Sequence, residues 1–270
     1  MNEAQIKIGT SSWGSKISIK DAINLGEKII DLGLNSFDTA PNYGSGYSHY
    51  ILNQIGQKKE IFIDTKYGQN IELTFKEFLK RLYRFKNLKS FKRSFKNIKI
   101  NNKERNDDSF WDLNKIEQAL YTSIEDLYNC NIQSFYLHSP PHGVLNTDYL
   151  NEFLRLFEQK KILLGISEPD VRDLMLIVKN FPSINLQISL DTFWKNKNDL
   201  ISYPNNIIIN GIFRQLKNED SQNNKTKNIF FADFLDILEK KKNYKIILGI
   251  NSYYSFEKLK KIIKDFSNIN

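Results

Sequence analysis

Residues 61–68 read IFIDTKYG, a short apolar run that ends on a lysine and a glycine. Alternating apolar positions bounded by turn residues mark a buried β-strand, here Ile61–Thr65, with Lys66 delivered at its end. Two further stretches repeat the pattern. SFDTAPNYGSG (36–46) carries a strand Ser36–Asp38 that ends on an aspartate, and SFYLHSPP (134–141) carries a strand Ser134–His138 that ends on a histidine. Polar groups at the ends of several strands are how a barrel enzyme assembles its site.

Outward from these three, the chain offers five more short runs: Ile6–Gly9, Ile162–Ile166, Ile184–Ile188, Asn206–Asn210 and Lys245–Gly249. Between them lie apolar residues at three- and four-residue spacing. One set is Ala22, Ile23, Gly26, Ile29 and Ile30; others are Leu113, Ile116, Leu120, Ile124 and Leu127, then Leu150, Phe153, Leu154 and Phe157. Leu174, Met175, Val178, then Leu235 and Leu238, and finally Phe256, Leu259, Ile262, Ile263 and Phe266 continue the series. These are helix stripes. Eight strands alternating with helices predict an α/β fold, a (β/α)8 TIM barrel, because parallel strands need helical crossovers to bring the chain back. An open doubly wound sheet is the competing arrangement. Its dinucleotide fingerprint is missing, since the first strand runs into GTSSWGS and not G-x-G-x-x-G.

A chain of 270 residues, 40% hydrophobic and 26% charged, with no Pro-, Gly- or Ser-rich linker, is read as a single domain spanning 1–270. The single cysteine, Cys130, excludes an internal disulfide and a cysteine metal cluster, so no metal site is expected. No apolar stretch is long enough to span a membrane, and the N-terminus does not read as a signal peptide, which together predict a cytoplasmic protein. The net charge of +8 is concentrated: residues 74–106 hold 12 Lys and Arg against two Glu, leaving the remainder of the chain slightly acidic. This basic insertion lies between the third strand and the helix that begins at Leu113. Its apolar residues Phe75, Phe78, Leu79, Leu82, Phe85 and Leu88 form a packing stripe, so it reads as a peripheral helix or as a lid that attracts an anionic substrate. Nucleic acid is not expected as a partner, because those aromatics suit helix packing better than base stacking. Residues 214–228, RQLKNEDSQNNKTKN, read as a polar loop.

Asp38, Tyr43, Lys66 and His138 together suit proton transfer to a carbonyl oxygen. An ammonium beside a phenol lowers its pKa, so Lys66 would tune Tyr43. Asp38 would keep a buried Lys66 charged. His138 would hold the substrate oxygen from the other side. Singly, each also has a plainer place, as a cap, a rim aromatic, a surface lysine or a core imidazole. A Schiff-base role for Lys66 is disfavoured, since a neighbouring carboxylate keeps the amine protonated.

In order along the chain, IGTSSWG (8–14), SFDTAPNYGSG, FIDTKYG (62–68), FYLHSPP (135–141) and LLGISEPD (163–170) resemble the motifs of the aldo-keto reductases. The resemblance implies a (β/α)8 barrel that binds NADPH, with NADH possible, and reduces aldehydes or ketones, so the partner is a small carbonyl substrate. Asp38, Tyr43, Lys66 and His138 then match the family tetrad, with Tyr43 as proton donor. Ser167 and Gln187 match residues that hold the nicotinamide carboxamide, and Trp13 falls near the substrate mouth. Glu168 stands where the family has asparagine, putting a carboxylate beside the carboxamide. Asn210 belongs to the altered stretch INGIFRQL after the seventh strand. In GINSYYSFEKLKKII (249–263) Lys258 or Lys260 would replace the family's grip on the adenosine phosphate. The physiological substrate and the oligomeric state are not written in these motifs. A barrel that has lost catalysis and acts as a sensor or partner subunit is the second reading.

Overall fold

The computed structural model describes residues 5–68, 108–212, 236–238 and 240–267. The basic insertion 74–106 and the polar loop 214–228 lie outside the described residues. Eight parallel strands close into a barrel in chain order: β1 (Ile6–Gly9), β2 (Ser36–Asp38), β3 (Phe62–Tyr67), β4 (Asn131–His138), β5 (Leu163–Ser167), β6 (Asn185–Ser189), β7 (Ile207–Asn210) and β8 (Tyr244–Gly249). β1 pairs with β8, Gly9 opposite Gly249, and completes the ring. The protein is a (β/α)8 barrel, and each expected strand is present to within a few residues at its ends. β3 runs on through Lys66 to Tyr67, so Lys66 sits inside the strand and not just beyond it.

Helices among the described residues include α1 (Ile19–Ile30), α2 (Ser48–Gly56), α3 (Leu113–Asp126), α4 (Thr147–Phe157), α5 (Val171–Asn180), the short α6 (Leu190–Lys195) and α7 (Lys197–Leu200), and α8 (Tyr253–Ser267). Side-chain caps set their starts: Ser18 accepts from Asp21 N, Asp112 from Asn114 N, Asn146 from Tyr149 N and Asp170 from Arg172 N. Alternation along each strand sends one set of side chains outward to the helices and the other into the barrel. Ile8, Phe37, Ile63, Phe135, Leu137, Ile166, Leu186, Ile188, Ile207 and Ile209 belong to the outer core. Inside, Tyr136, Ile208 and Ile247 form a small separate apolar cluster. The Tyr136 ring lies against β5, where a Cβ on Gly165 would stand 2.2 Å from its Cε1, so only glycine fits there. The rest of the barrel interior is polar and charged, and it carries the site.

Candidate active site

Main-chain hydrogen bonds continue past the strand ends and fix the loops that follow. Thr10 N donates to Asp38 O at 3.0 Å, Thr39 N to Asp64 O at 2.9 Å, Ser139 N to Ser167 O at 2.7 Å and Glu168 N to Gln187 O at 2.8 Å. Ser139 and Glu168 both take left-handed backbone angles, φ 51° and 52°, directly after β4 and β5. Such a conformation costs a non-glycine residue roughly 1–2 kcal/mol, and its place at strand ends that face a cavity fits the tendency of strain to gather at functional sites.

The cavity, about 700 Å³, opens at the C-terminal ends of the strands. Asp38, Tyr43, Glu168, Gln187, Asn210 and Lys258 all contribute to its wall. Tyr43 begins a single 3-10 turn, Tyr43–Gly46, whose next residue Gly44 has φ 57°. Gly44 N donates to Ser11 O at 2.9 Å, and a Cβ on Gly44 would lie 1.6 Å from Trp13 O. Glycine at 44 is therefore what lets the turn close against the loop after β1 and hold Tyr43 over the barrel mouth.

Behind the cavity wall, Lys66 Nζ forms a buried ion pair with Asp38 Oδ1 and donates to Thr39 O at 3.3 Å. Its ammonium stands 5.4 Å from the centroid of the Tyr43 ring. His138, also buried, meets Tyr43 T-shaped with ring centroids 6.2 Å apart. The four residues therefore converge on one place from β2, the loop after it, β3 and β4. Burial pushes the Asp38 carboxyl above its ordinary range, and the Lys66 ammonium pulls the other way. Burial also pushes the Tyr43 phenol well above its ordinary value, with the Asp38 and Glu168 carboxylates adding to the rise. This reverses the lowering expected from Lys66, because desolvation outweighs an ammonium already committed to Asp38. The phenol is thereby held protonated.

Gln187 Nε2 donates to Asp38 Oδ1 at 3.1 Å, which turns its Oε1 away; that buried oxygen has no hydrogen-bond partner among the described residues. Asn210 Nδ2 donates to Glu168 Oε1 at 2.6 Å across the cavity wall. Lys258 reaches the cavity from α8, its ammonium 4.8 Å from the centroid of the Tyr254 ring.

Three of the expected site residues lie off the cavity wall. Trp13 is not at the mouth: it is wholly buried, packed on Phe37 with ring centroids 5.9 Å apart, and its Nε1 donates to Ile250 O at 2.8 Å. The large ring finds more apolar surface beneath the loop than at its rim. Lys260 pairs with Glu257 at 2.7 Å and does not reach the cavity, since two residues along a helix from Lys258 is a different face. Ser167 is buried behind the wall, as Lys66 and His138 are, opposite His138 at the end of β5. Conversely, Ser11, Lys16, Ser189, Asn251, Ser252 and Ser255 line the cavity without having been singled out. Ser252 and Ser255 had a readable signal, a serine pair at the start of a helix; Asn251 N and Ser252 N both donate to Ser255 Oγ.

The aldo/keto reductase family model matches residues 5–213. Among solved structures, a glycerol dehydrogenase from Gluconobacter oxydans superposes with a TM-score of 0.60 at 16% identity, over 93% of this chain and 84% of that one. A thermostable aldo-keto reductase solved with the inhibitor epalrestat gives 0.57 at 16% identity, over 96% and 89%. An aldo-keto reductase from Klebsiella pneumoniae solved with NADPH gives 0.55 at 14% identity, over 92% and 81%. Identities this low carry the likeness of fold alone. No curated protein matches the chain in sequence.

Proposed function

The chain is an oxidoreductase of the aldo/keto reductase family, and on that premise we propose that it reduces an aldehyde or ketone to an alcohol, with NADPH or NADH as cofactor and Tyr43 as proton donor. The observation that carries this reading is a buried, protonated phenol on the cavity wall with an Asp38–Lys66 ion pair behind it and the His138 ring beside it. The Klebsiella relative's structure with NADPH supports a nicotinamide cofactor.

The residues present fit such a cofactor. The orphaned Oε1 of Gln187 suits the amide N–H of a carboxamide, and a buried carbonyl without a donor costs about 1–3 kcal/mol until one arrives. Gln187, Asn210 and Glu168 would hold the nicotinamide end, and Lys258 the phosphate end. When bound, the cofactor supplies the hydride that goes to the carbonyl carbon. Tyr43 gives its proton to the carbonyl oxygen as negative charge develops there. Lys66, one ring width away, stabilises the phenolate that remains. Asp38 keeps Lys66 ionised through the cycle, and His138 orients the carbonyl oxygen between itself and Tyr43. The lysine-rich stretch 74–106 supports an anionic carbonyl substrate; equal turnover of neutral and anionic analogues of one aldehyde would remove that part of the reading.

The deciding experiment is a titration of the protein with NADPH and NADH, followed by nicotinamide fluorescence, and then oxidation of the bound cofactor by a reactive aromatic aldehyde. Binding with turnover that Tyr43→Phe abolishes is the expected result. Glu168, placed where the family has asparagine and bonded to Asn210, favours a second reading in which the barrel has lost catalysis. Failure of either cofactor to bind at millimolar concentration would select it.

A further inference from the structure

A second ionic pair lies deeper in the barrel, below Asp38 and Lys66. Lys7 Nζ of β1 meets Asp64 Oδ2 of β3 at 2.8 Å and donates to Ser36 Oγ of β2 at 3.1 Å. Both partners are closed to solvent, with side chains 3% and 0% exposed. Lys245 of β8 is near enough to both for its pKa to respond: burial and then the Lys7 ammonium hold it below its ordinary value, with Asp64 opposing. β1, β2, β3 and β8 thus bring three lysines and two aspartates into one barrel interior.

Asp64 is a rival for Lys66. The two are two residues apart on β3, so their side chains leave on the same side, about 7 Å apart at the backbone. Asp64 is also the register partner of Asp38 on β2. Lys66 thus shares one face of the sheet with two buried carboxylates, and its ammonium pairs with Asp38. Only the pair with Asp38 leaves it beside the Tyr43 ring. A buried carboxylate without a counter-ion is costly and will take any cation it can reach. We propose that Lys7 is a positioning residue: by engaging Asp64, it reserves Lys66 for Asp38 and Tyr43. The consequence for rate rests on the reductase reading, while the consequence for geometry does not.

The groups that share this field are few. Asp64 pairs with Lys7 from β1, lies within electrostatic reach of Asp38 from β2, Tyr136 from β4 and Lys245 from β8, and shares its face of β3 with Lys66. The Tyr43 phenol responds to Asp38 and Glu168, and Lys66 and His138 stand beside its ring. Inward positions Gly165, Asn185 and Ile208 on β5, β6 and β7 carry no charge.

Crystal structures of Lys7→Met and Lys7→Arg test the geometry directly. In Lys7→Met, Lys66 Nζ is expected to leave Asp38 for Asp64; in Lys7→Arg it stays. An ammonium still on Asp38 in Lys7→Met, with Asp64 taken over by Lys245 or protonated, overturns the proposal. If Lys7→Met does not fold, Lys7→Gln serves the same purpose with a hydrogen-bonding side chain. The kinetic arm compares the pH profile of kcat/KM in Lys7→Met, Asp64→Asn and the double variant. Lys7→Met should turn over about tenfold more slowly with its basic limb raised by roughly half a pH unit, and Asp64→Asn should lower that limb by a similar amount. The double variant should recover to within about twofold of wild type. A purely structural pair would slow both single variants without moving their limbs in opposite directions, and that result would also overturn the proposal. If the wild type itself gave no turnover, the reductase reading would fall, and the position of Lys66 in the crystals would still decide this one.

Discussion

His138 and Tyr43 meet as a T-shaped pair, planes at 81° and ring centroids 6.2 Å apart, although one ends β4 and the other lies in the loop after β2. Tyr43→Phe keeps the packing and removes the proton, so kcat should fall by roughly 10²–10⁴-fold while cofactor affinity changes little. His138→Gln should cost less, about 10–100-fold, because it disturbs orientation and leaves the donor in place. Stopped-flow oxidation of bound cofactor measures both; a smaller loss for Tyr43→Phe than for His138→Gln would reverse their roles.

Lys66→Met strands Asp38 in the barrel interior. Losing one partner of a buried ion pair costs roughly 3–5 kcal/mol while the other stays charged. Asp38 in this variant should lie higher still than in the wild type, whose carboxyl burial already raises against Lys66. A carboxyl with a raised folded pKa contributes stability at low pH that is lost as pH rises through that pKa. Urea unfolding should therefore show a larger deficit at about pH 8 than at about pH 5. An equal deficit at both would mean that Asp38 is not the stranded group.

Gly44→Ala places a methyl 1.6 Å from the Trp13 carbonyl in a backbone conformation that alanine disfavours, so the turn must open. The expected cost is roughly 2–4 kcal/mol, with Tyr43 displaced from the cavity. Thermal melting and aldehyde turnover should fall together; wild-type turnover in the variant would show that the turn does not place Tyr43.

Much of the fold was legible because strand and helix periods are local. SFYLH, LLGIS and IIIN read as strands wherever they occur, and the barrel follows from their number and alternation. Tyr43, Lys66 and His138 were legible by position, as polar residues at or just past strand ends. What was not legible depends on three-dimensional burial. Trp13 reads as a mouth aromatic until Phe37 and Ile250 are seen to close over it. The rise in the Tyr43 pKa comes from desolvation, which no spacing encodes. Lys7 was not singled out in IKIG, because only closure of the sheet puts its face in the barrel interior.

The same burial shapes the alkaline limit of stability. Burial pushes the phenols of Tyr67 and Tyr244 up to about 12, and raises Tyr136, Tyr149 and Tyr203 as well. These groups hold their protons in the folded state after they have lost them in the unfolded one, so stability is full below about pH 10 and falls as pH rises beyond it. The midpoint of thermal unfolding should drop by roughly 5 °C or more between about pH 9 and pH 11.5. A flat profile across that range would mean the tyrosines are wetter than their packing indicates.

The hydrogen bond from Trp13 Nε1 to the carbonyl of Ile250 joins the loop after the first strand to the loop after the last. Its consequence lies in the order of synthesis. As the chain leaves the ribosome, the early segments that carry Asp38, Tyr43, Lys66 and His138 wait through more than a hundred residues before β8 arrives to seal the ring against β1. Until then Lys7 and Asp64 face an unfinished, hydrated trough. Barrel closure is thus a late event with large sequence separation, which makes for slow folding and a long exposure of the open edge of β1. A nascent chain halted before residue 244 would carry all four of those side chains and still have no cavity to use them in.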